Sequence, residues 1–370
     1  MSGTSVDAID CALVSAGDES LELLHTLEHP VPNDLRGLIA DISHSGEAEI
    51  ERMGLLDRQL GHLFAEATLT LLKAAGTAST SIRAIGSHGQ TIRHRPPSGG
   101  HTTRTSFTLQ IADPNTIAEQ TGITTVADFR RRDIAAGGEG APLAPAFHAS
   151  VFGEQGVARA IVNIGGIANI SLLNGQRLLG GFDSGPGNTL MDHWIARHLH
   201  KEYDQGGLWA ATGTINSQLL KKLMEHPFFR LSGPRSTGKE AFNLAYLDGV
   251  LATLPALAPE DVQSTLAEFT ALSIARTVKI SNLAVSELYI CGGGAHNDHL
   301  LQRLAAALPD QSINSTGELG IDPDWVEAVT FAWLARRTLE GLAGNVPIVT
   351  GAVGERILGG IYPGSAGSRT

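Results

Sequence analysis

Apolar positions along the chain switch repeatedly between a two-residue and a three-to-four-residue period. Residues 9–15 and 21–27 are apolar strand-like runs joined by the turn-rich Gly17-Asp-Glu-Ser20, which predicts a hairpin. From about residue 47 to 75, Met53, Leu56, Leu60, Phe64, Ala67 and Leu71 recur at helical spacing and form one core-facing stripe. Residues 83–87 and Phe107–Ile111 read as strands. A helix is expected from Asp113-Pro114, where Asp caps and Pro fits the first turn.

The second half repeats this alternation. Ala158–Ile164 and residues 167–173 form a strand pair around Gly165-Gly166, and residues 178–182 form a third strand ending at Asp183. Helices are expected at about 188–199, 214–224 and 261–280. Glu287–Cys291 is a strand leading through Gly292, Gly293 and Gly294 into a helix near Asn297, and a last helix covers 323–339. Strand pairs alternate with strand-to-helix crossings, so the fold class is α/β. Stretches 96–105 and 231–238 are rich in Gly, Pro and Ser and read as loops.

Composition narrows the class. The 370 residues are 42% hydrophobic and 18% charged, with room for two domains and a substantial core. A net charge of −11 argues against a nucleic acid or an anionic membrane as partner. Arg93-His-Arg95 and Arg130-Arg-Arg132 are short basic clusters, and pairing of the second with Asp128 and Asp133 is the plainer reading. Two cysteines, Cys11 and Cys291, fit a reducing setting. No basic-then-apolar leader opens the sequence, and no uncharged apolar stretch is long enough to span a bilayer. The expectation is a soluble, cytoplasmic protein.

Three glycine turns carry the candidate chemistry. The first, around Ser2-Gly-Thr-Ser5 with Asp7 and Asp10, combines small hydroxyls with permissive backbone. It reads either as an anion nest with Asp7 holding Mg²⁺ through water, or as a plain hairpin turn. The Gly165-Gly166 and Gly292–Gly294 turns sit at strand ends. At the last, amide groups and a helix dipole converge, though glycines at helix entries also serve packing. Asp183, before Ser184-Gly-Pro-Gly-Asn188, reads as a general base or as a capping residue. Ser87, His88, Gly89, Gln90 and Thr91 follow a strand and suit sugar hydroxyls. A P-loop, the protein-kinase motifs, Gly-x-Ser-x-Gly and zinc spacings are all absent from the sequence.

Together these segments resemble the anhydro-N-acetylmuramic acid kinase family, within the actin/hexokinase/Hsp70-like ATPase superfamily. The resemblance runs nearly end to end. It is carried by Met1-Ser-Gly-Thr-Ser5 with Asp7 and Asp10, Gly86-Ser-His-Gly-Gln-Thr-Ile-Arg93 and Asp128-Phe-Arg-Arg-Arg-Asp133. Further matches are Ala136-Gly-Gly-Glu-Gly-Ala-Pro-Leu143, Asn163-Ile-Gly-Gly166, Asp183-Ser-Gly-Pro-Gly-Asn188 and Ser236-Thr-Gly238 with Phe242-Asn243. Cys291-Gly-Gly-Gly-Ala-His-Asn297, Val349-Thr-Gly351 and Ile361-Tyr-Pro363 complete them.

The resemblance implies a two-lobed actin/hexokinase-like (ribonuclease H-like) fold closing over a cleft that binds ATP and Mg²⁺. The lobes are expected at 1–126 with 345–370, and at 127–344. It implies phosphorylation of 1,6-anhydro-N-acetylmuramic acid with hydrolytic opening of its anhydro ring, in peptidoglycan recycling, by a homodimer. Asp183 would be the catalytic base, while Gly3, Thr4, Ser5, Val6, Asp7, Ala8, Ile9 and Asp10 would line the ATP phosphates. Gly165, Gly166, Gly292, Gly293 and Gly294 would line the nucleotide. Ser87–Thr91, Arg130, Arg131, Arg132 and Glu327 would face the sugar. Alternatives are a kinase for an ordinary amino sugar or a non-catalytic actin-like ATP-binding protein. The sequence departs from the family pattern with Ala8 in place of Gly and Glu139 in place of Gln. The family pattern also has an apolar strand ahead of the first turn, so that turn is expected to lack its first strand or the start to be set late.

Overall fold

A computed structural model describes residues 1–3, 6–17, 21–231, 241–281 and 283–365. Within it the chain divides into two α/β units, Met1–Phe147 with Trp325–Thr370, and His148–Asp324. Residues 127–147 and 325–344, expected in the second lobe, thus belong to the first unit. Of the expected site residues, Thr4 and Ser5 lie outside the described residues, as does Ser236-Thr-Gly238.

The first unit opens with the expected hairpin, β1 (Ala8–Ala16) antiparallel to β2 (Leu21–Pro30). Helix α1 (Asn33–Ile42) follows, and its short stripe of Leu35, Ile39 and Ile42 was not legible among polar neighbours. The long helix α2 (Glu49–Ala74) buries Leu56, Leu60, Phe64, Ala67 and Leu71 as its periodicity requires. Each buried Leu or Phe among them contributes roughly 1.5–3 kcal/mol. Strands β3 (Ile85–Ser87), β4 (Gln90–Arg95) and β5 (Phe107–Ile111) come next. Helix α3 (Pro114–Thr121) starts where expected, the Asp113 carboxylate accepting from the Asn115 and Thr116 amides. Strand β6 (Thr125–Ala127) pairs in parallel with β3, and α4 (Arg131–Ala135) follows it.

Helix α5 (Ala144–Phe152) leads into the second unit. There β7 (Ala158–Ile164), β8 (Ile167–Asn174) and β9 (Arg177–Pro186) form an antiparallel meander. Helices α6 (Thr189–Leu199), α7 (Ser217–Met224), α8 (Leu244–Leu251) and α9 (Pro259–Ile280) precede β10 (Glu287–Cys291), α10 (Asp298–Ala307) and β11 (Ser312–Ser315). The sheet order is β11-β10-β7-β8-β9, with β10 parallel to both β7 and β11. Three meander strands extended by two parallel ones are the ribonuclease H-like order. Helix α9 is buried on nearly every face, with Val262, Leu266, Phe269 and Ile274 at the centre of this unit's core.

The chain then returns to the first unit as α11 (Val326–Leu339) and the short α12 (Pro347–Thr350). Strand β12 (Gly360–Tyr362) pairs with β6 and completes a β12-β6-β3 sheet. Among the described residues, no helix is long and apolar enough to cross a membrane.

Candidate functional site

In the second unit the structure brings three glycine turns together. Asp183 lies on β9, paired in register with Asn169 of β8, where the ladder bulges. The strand does not end at residue 182 as expected, because β8 continues the pairing to Pro186. Past it the chain turns at Gly187, whose amide donates to the Gly166 carbonyl at 2.9 Å. The Asn188 amide donates to the Gly165 carbonyl at 2.8 Å and its side-chain Nδ2 to the Ile164 carbonyl at 3.2 Å. A Cβ on Gly187 would collide with the Gly165 carbonyl oxygen. Only glycine admits this backbone-on-backbone approach.

The Gly292–Gly294 turn closes on the same point. Gly292 holds φ +76°, and a Cβ on it would strike the Asn163 carboxamide. A Cβ on Gly294 would strike the Ile164 side chain. Past the turn, Asn297 caps α10 by accepting from the Leu300 amide at 3.0 Å. Gly165, Gly166, Gly292, Gly293 and Gly294 therefore share one neighbourhood, to which Asp183 is tied through the sheet: it pairs with Asn169, which pairs with Asn163. Asn163, Asn188 and Thr189 belong to it as well and were not singled out from sequence. Thr189 is 4% exposed at the start of α6, and its buried hydroxyl has no protein partner. Their signal was position: each flanks a glycine turn.

The first unit holds the remaining candidates. The Met1 nitrogen donates to the Asp10 carbonyl at 2.6 Å and the Asp10 amide to the Met1 carbonyl at 2.8 Å, so Met1 pairs with the start of β1. Gly3, Val6 and Ala8 are half-buried, Ile9 is buried and Asp7 is exposed. The Asp7 Oδ1 accepts from the Ala8 amide at 3.1 Å. Burial pushes the Asp10 carboxyl up to about 6, against the chain's amino group, and the negative charges of Glu28, Glu327 and Asp7 add to the rise.

Ser87, His88, Gly89 and Gln90 are buried, and the Ser87 hydroxyl and Gln90 Oε1 have no protein partner. Only residues 88–89 form a turn, because β4 already starts at Gln90. Gly89 holds φ +71° and passes close against the Ile111 carbonyl. The Arg130 Nε donates to the His88 Nε2 at 2.9 Å. That nitrogen must therefore be the acceptor, which leaves Nδ1 to carry the proton and donate to the Gly89 carbonyl at 3.0 Å. Desolvation and the Arg130 charge hold the imidazole well below its usual range, so it stays neutral. Arg130 also donates to the Gly140 carbonyl at 2.9 Å.

Arg131 instead pairs with Asp128 at 2.7 Å, and Arg132 is exposed. Glu327 stands in the first turn of α11; desolvation raises its carboxyl, and Arg130 and the chain's amino group oppose the rise. Asp133, fully buried, was expected only as an ion-pair partner. It accepts from the Gly140 amide at 2.8 Å, the Asn345 carboxamide at 2.6 Å and the Thr350 hydroxyl at 2.8 Å. One carboxylate thus ties three segments together beside Arg130. Neither Cys11 nor Cys291 is in a disulfide.

Comparison with known proteins places this arrangement. A family model described as Anhydro-N-acetylmuramic acid kinase matches residues 1–364. The chain is 50% identical over 363 residues to the anhydro-N-acetylmuramic acid kinase of Pseudomonas syringae pv. tomato, covering 98% of each chain. It is 50% identical over 367 residues to the protein of that name from Shewanella loihica, covering 99% of this chain and 98% of that one. For the Saccharophagus degradans protein of the same name, identity is 51% over 364 residues, with 98% and 97% covered.

Proposed function

The chain belongs to the anhydro-N-acetylmuramic acid kinase family, and from that membership we propose that it phosphorylates 1,6-anhydro-N-acetylmuramic acid with ATP. Water opens the anhydro bridge in the same reaction, giving N-acetylmuramic acid 6-phosphate and ADP in peptidoglycan recycling. The observation that carries this reading is 50% identity sustained over 98% of both chains with a kinase of that name.

Asp183 is the base in this proposal. Its carboxylate takes a proton from water, the water oxygen bonds to the anomeric carbon, and the bond from that carbon to the bridge oxygen breaks. The bridge oxygen, still attached at C6, bonds to the γ-phosphorus as the bond to ADP breaks. Support comes from the position of Asp183 on a paired strand, with Gly165, Gly166, Gly187 and Gly292 gathered beyond it. Phosphoryl transfer then needs chiefly positioning and charge neutralisation. Gly3, Thr4, Ser5, Val6, Asp7, Ala8, Ile9 and Asp10 hold the phosphates, with the second unit's glycine amides on the nucleotide.

The sugar is assigned to Ser87, His88, Gly89, Gln90, Thr91, Arg130, Arg131 and Glu327. The partnerless buried oxygens of Ser87 and Gln90 support a polar ligand there, since buried polar atoms in proteins are satisfied as a rule. An arginine facing the lactyl carboxylate adds a charge-assisted pair. Mg²⁺, when bound, neutralises phosphate charge. The residues fit it: Asp7 and Asp10 offer hard oxygen ligands, and the raised Asp10 carboxyl marks a spot where added positive charge is favourable. Among the described residues, no group of three or more His, Cys, Asp or Glu is arranged for a metal, so water and phosphate supply most ligands. The cytoplasm and a homodimer complete the proposal, since two cysteines without a disulfide fit a reducing compartment.

The test is product analysis in ¹⁸O-water with ATP, Mg²⁺ and the anhydro sugar. Label is expected in the anomeric hydroxyl before mutarotation exchanges it; its absence there overturns water attack. Asp183→Asn is expected to lower kcat by roughly 10²–10⁴-fold with the melting temperature unchanged. Full activity in that variant removes Asp183 from the role.

A further inference from the structure

Arg130 is held on two sides by groups of its own unit. Its Nε donates to the His88 Nε2 at 2.9 Å and its Nη1 to the Gly140 carbonyl at 2.9 Å. Both acceptors are themselves fixed. Gly140 holds φ +70°, a Cβ on it would press on the Ile134 side chain, and its amide donates to the buried Asp133 carboxylate at 2.8 Å. His88 is 6% exposed and packs its ring on Phe331 of α11, with centroids 4.5 Å apart. Phe129, the residue before Arg130, packs on the same Phe331 ring at 5.6 Å.

The guanidinium is planar, so two anchored N–H groups set its plane and leave Nη2 without a protein partner. Glu327 and Asp133 are the negative charges that act on Arg130, yet among the described residues neither pairs with it. An aimed cation with one arm uncommitted is therefore ready for a ligand. His88 is not. An arginine Nε only donates, so the His88 Nε2 accepts, and Nδ1 donates to the Gly89 carbonyl at 3.0 Å. Both ring nitrogens are committed inside the protein.

We propose that His88 is a positioning residue for Arg130: its Nε2 lone pair, with the Gly140 carbonyl, aims the guanidinium at the sugar, and His88 itself touches no substrate. This role rests on the kinase reading, in which Arg130 meets the sugar, and it narrows the contacts there by removing His88 from them. A general acid or base is the poorer reading, because neither ring nitrogen has a proton or a lone pair left to exchange with a substrate.

Asn and Gln separate the two ring nitrogens. In His88→Asn the carboxamide sits where Nδ1 was and still donates to the Gly89 carbonyl, while the acceptor for Arg130 is lost. In His88→Gln the longer side chain puts a carbonyl oxygen where Nε2 was. With the anhydro sugar varied at saturating ATP, His88→Asn is expected to raise KM by about 10–100-fold with kcat little changed. His88→Gln is expected to recover most of that loss. Both variants lose the ring on Phe331, so their melting temperatures are expected to fall together. Equal KM in the two overturns the proposal. In an Arg130→Ala background, which by itself raises KM, His88→Asn is expected to add nothing, and additive effects overturn the route through Arg130. An unchanged KM in Arg130→Ala alone takes Arg130 off the sugar and the proposal with it. A raised KM there, beside unaffected His88 variants, overturns the positioning role and leaves the sugar reading standing. Independently of activity, two-bond ¹⁵N–¹H spectra of the wild-type chain are expected to show the His88 ring protonated at Nδ1 alone. A proton on Nε2 overturns the proposal.

Discussion

The candidate region around Gly187, in the second unit, is held by backbone, and the one around Asp133, in the first unit, is held by side chains. In the second unit, amides of Gly187 and Asn188 reach the carbonyls of Gly166 and Gly165, and missing Cβ atoms at 187, 292 and 294 make the approach possible. In the first unit, the Asp133 carboxylate collects an amide, a carboxamide and a hydroxyl, while Arg130 bridges His88 and Gly140. A backbone-built region fixes its turns through close approaches that depend on missing Cβ atoms. A side-chain-built site places charge and hydrogen-bond direction, which suits a sugar. The two fail differently when mutated.

Asp133→Ala should give the largest effect. It strands three buried donors, each worth about 1–3 kcal/mol, so a loss of roughly 3–5 kcal/mol is expected in chemical denaturation. A loss below 1 kcal/mol would mean that the Asn345 and Thr350 segments are held by other contacts. Gly187→Ala comes next. Its Cβ must displace the Gly165 carbonyl, and such overpacking costs roughly 1–3 kcal/mol. Here activity should fall further than stability, since the displaced turn carries the proposed nucleotide amides. Equal kcat in wild type and Gly187→Ala would break the contrast between the two regions.

That contrast also explains what could be read from the sequence. Glycine turns are contiguous, so 165–166, 185–187 and 292–294 announced themselves, and so did the α2 stripe and the Asp113 cap. The Asp133 hub did not, because its partners Asn345 and Thr350 lie 212 and 217 residues away. Strand β4 was missed because Arg93, His94 and Arg95 give it a polar character, and there the Arg93 Nη2 pairs with Glu49 at 3.2 Å. Helix α1 offers only three buried residues to reveal its period. Asp183 lies on the expected strand, but β9 runs on past it; the pairing that extends the strand comes from β8, not from its own residues.

Asp10 links the contrast to pH, with a smaller effect. Its folded carboxyl sits at about 6 against an ordinary 3.8, so the folded chain holds a proton that the unfolded chain has released. This contribution to stability is complete below about pH 4 and is lost as pH rises to about 6. His88 acts in the opposite sense, because its neutral folded form favours stability as pH rises. Subtracting the profile of Asp10→Asn isolates the carboxylate: the wild-type advantage should shrink across pH 4–6 and stay level above. A flat difference retires the claim that this carboxyl is strained by burial.

The smallest effect is expected at Glu139, the family departure next to the hub. Its carboxylate accepts from the Ser98 amide at 3.1 Å and the Ser98 hydroxyl at 2.6 Å, on an exposed face of the loop. In Glu139→Gln the carboxamide oxygen still accepts from the amide, and its NH₂ group donates to the hydroxyl, which can accept as readily as it donates. The Glu139 amide keeps its 2.7 Å bond to the Thr350 carbonyl whichever side chain is present. Denaturation midpoints should therefore agree within about 0.5 kcal/mol. Agreement there, beside a loss several times larger at Asp133, would show that burial decides which side chains hold this region, not the number of hydrogen bonds they make.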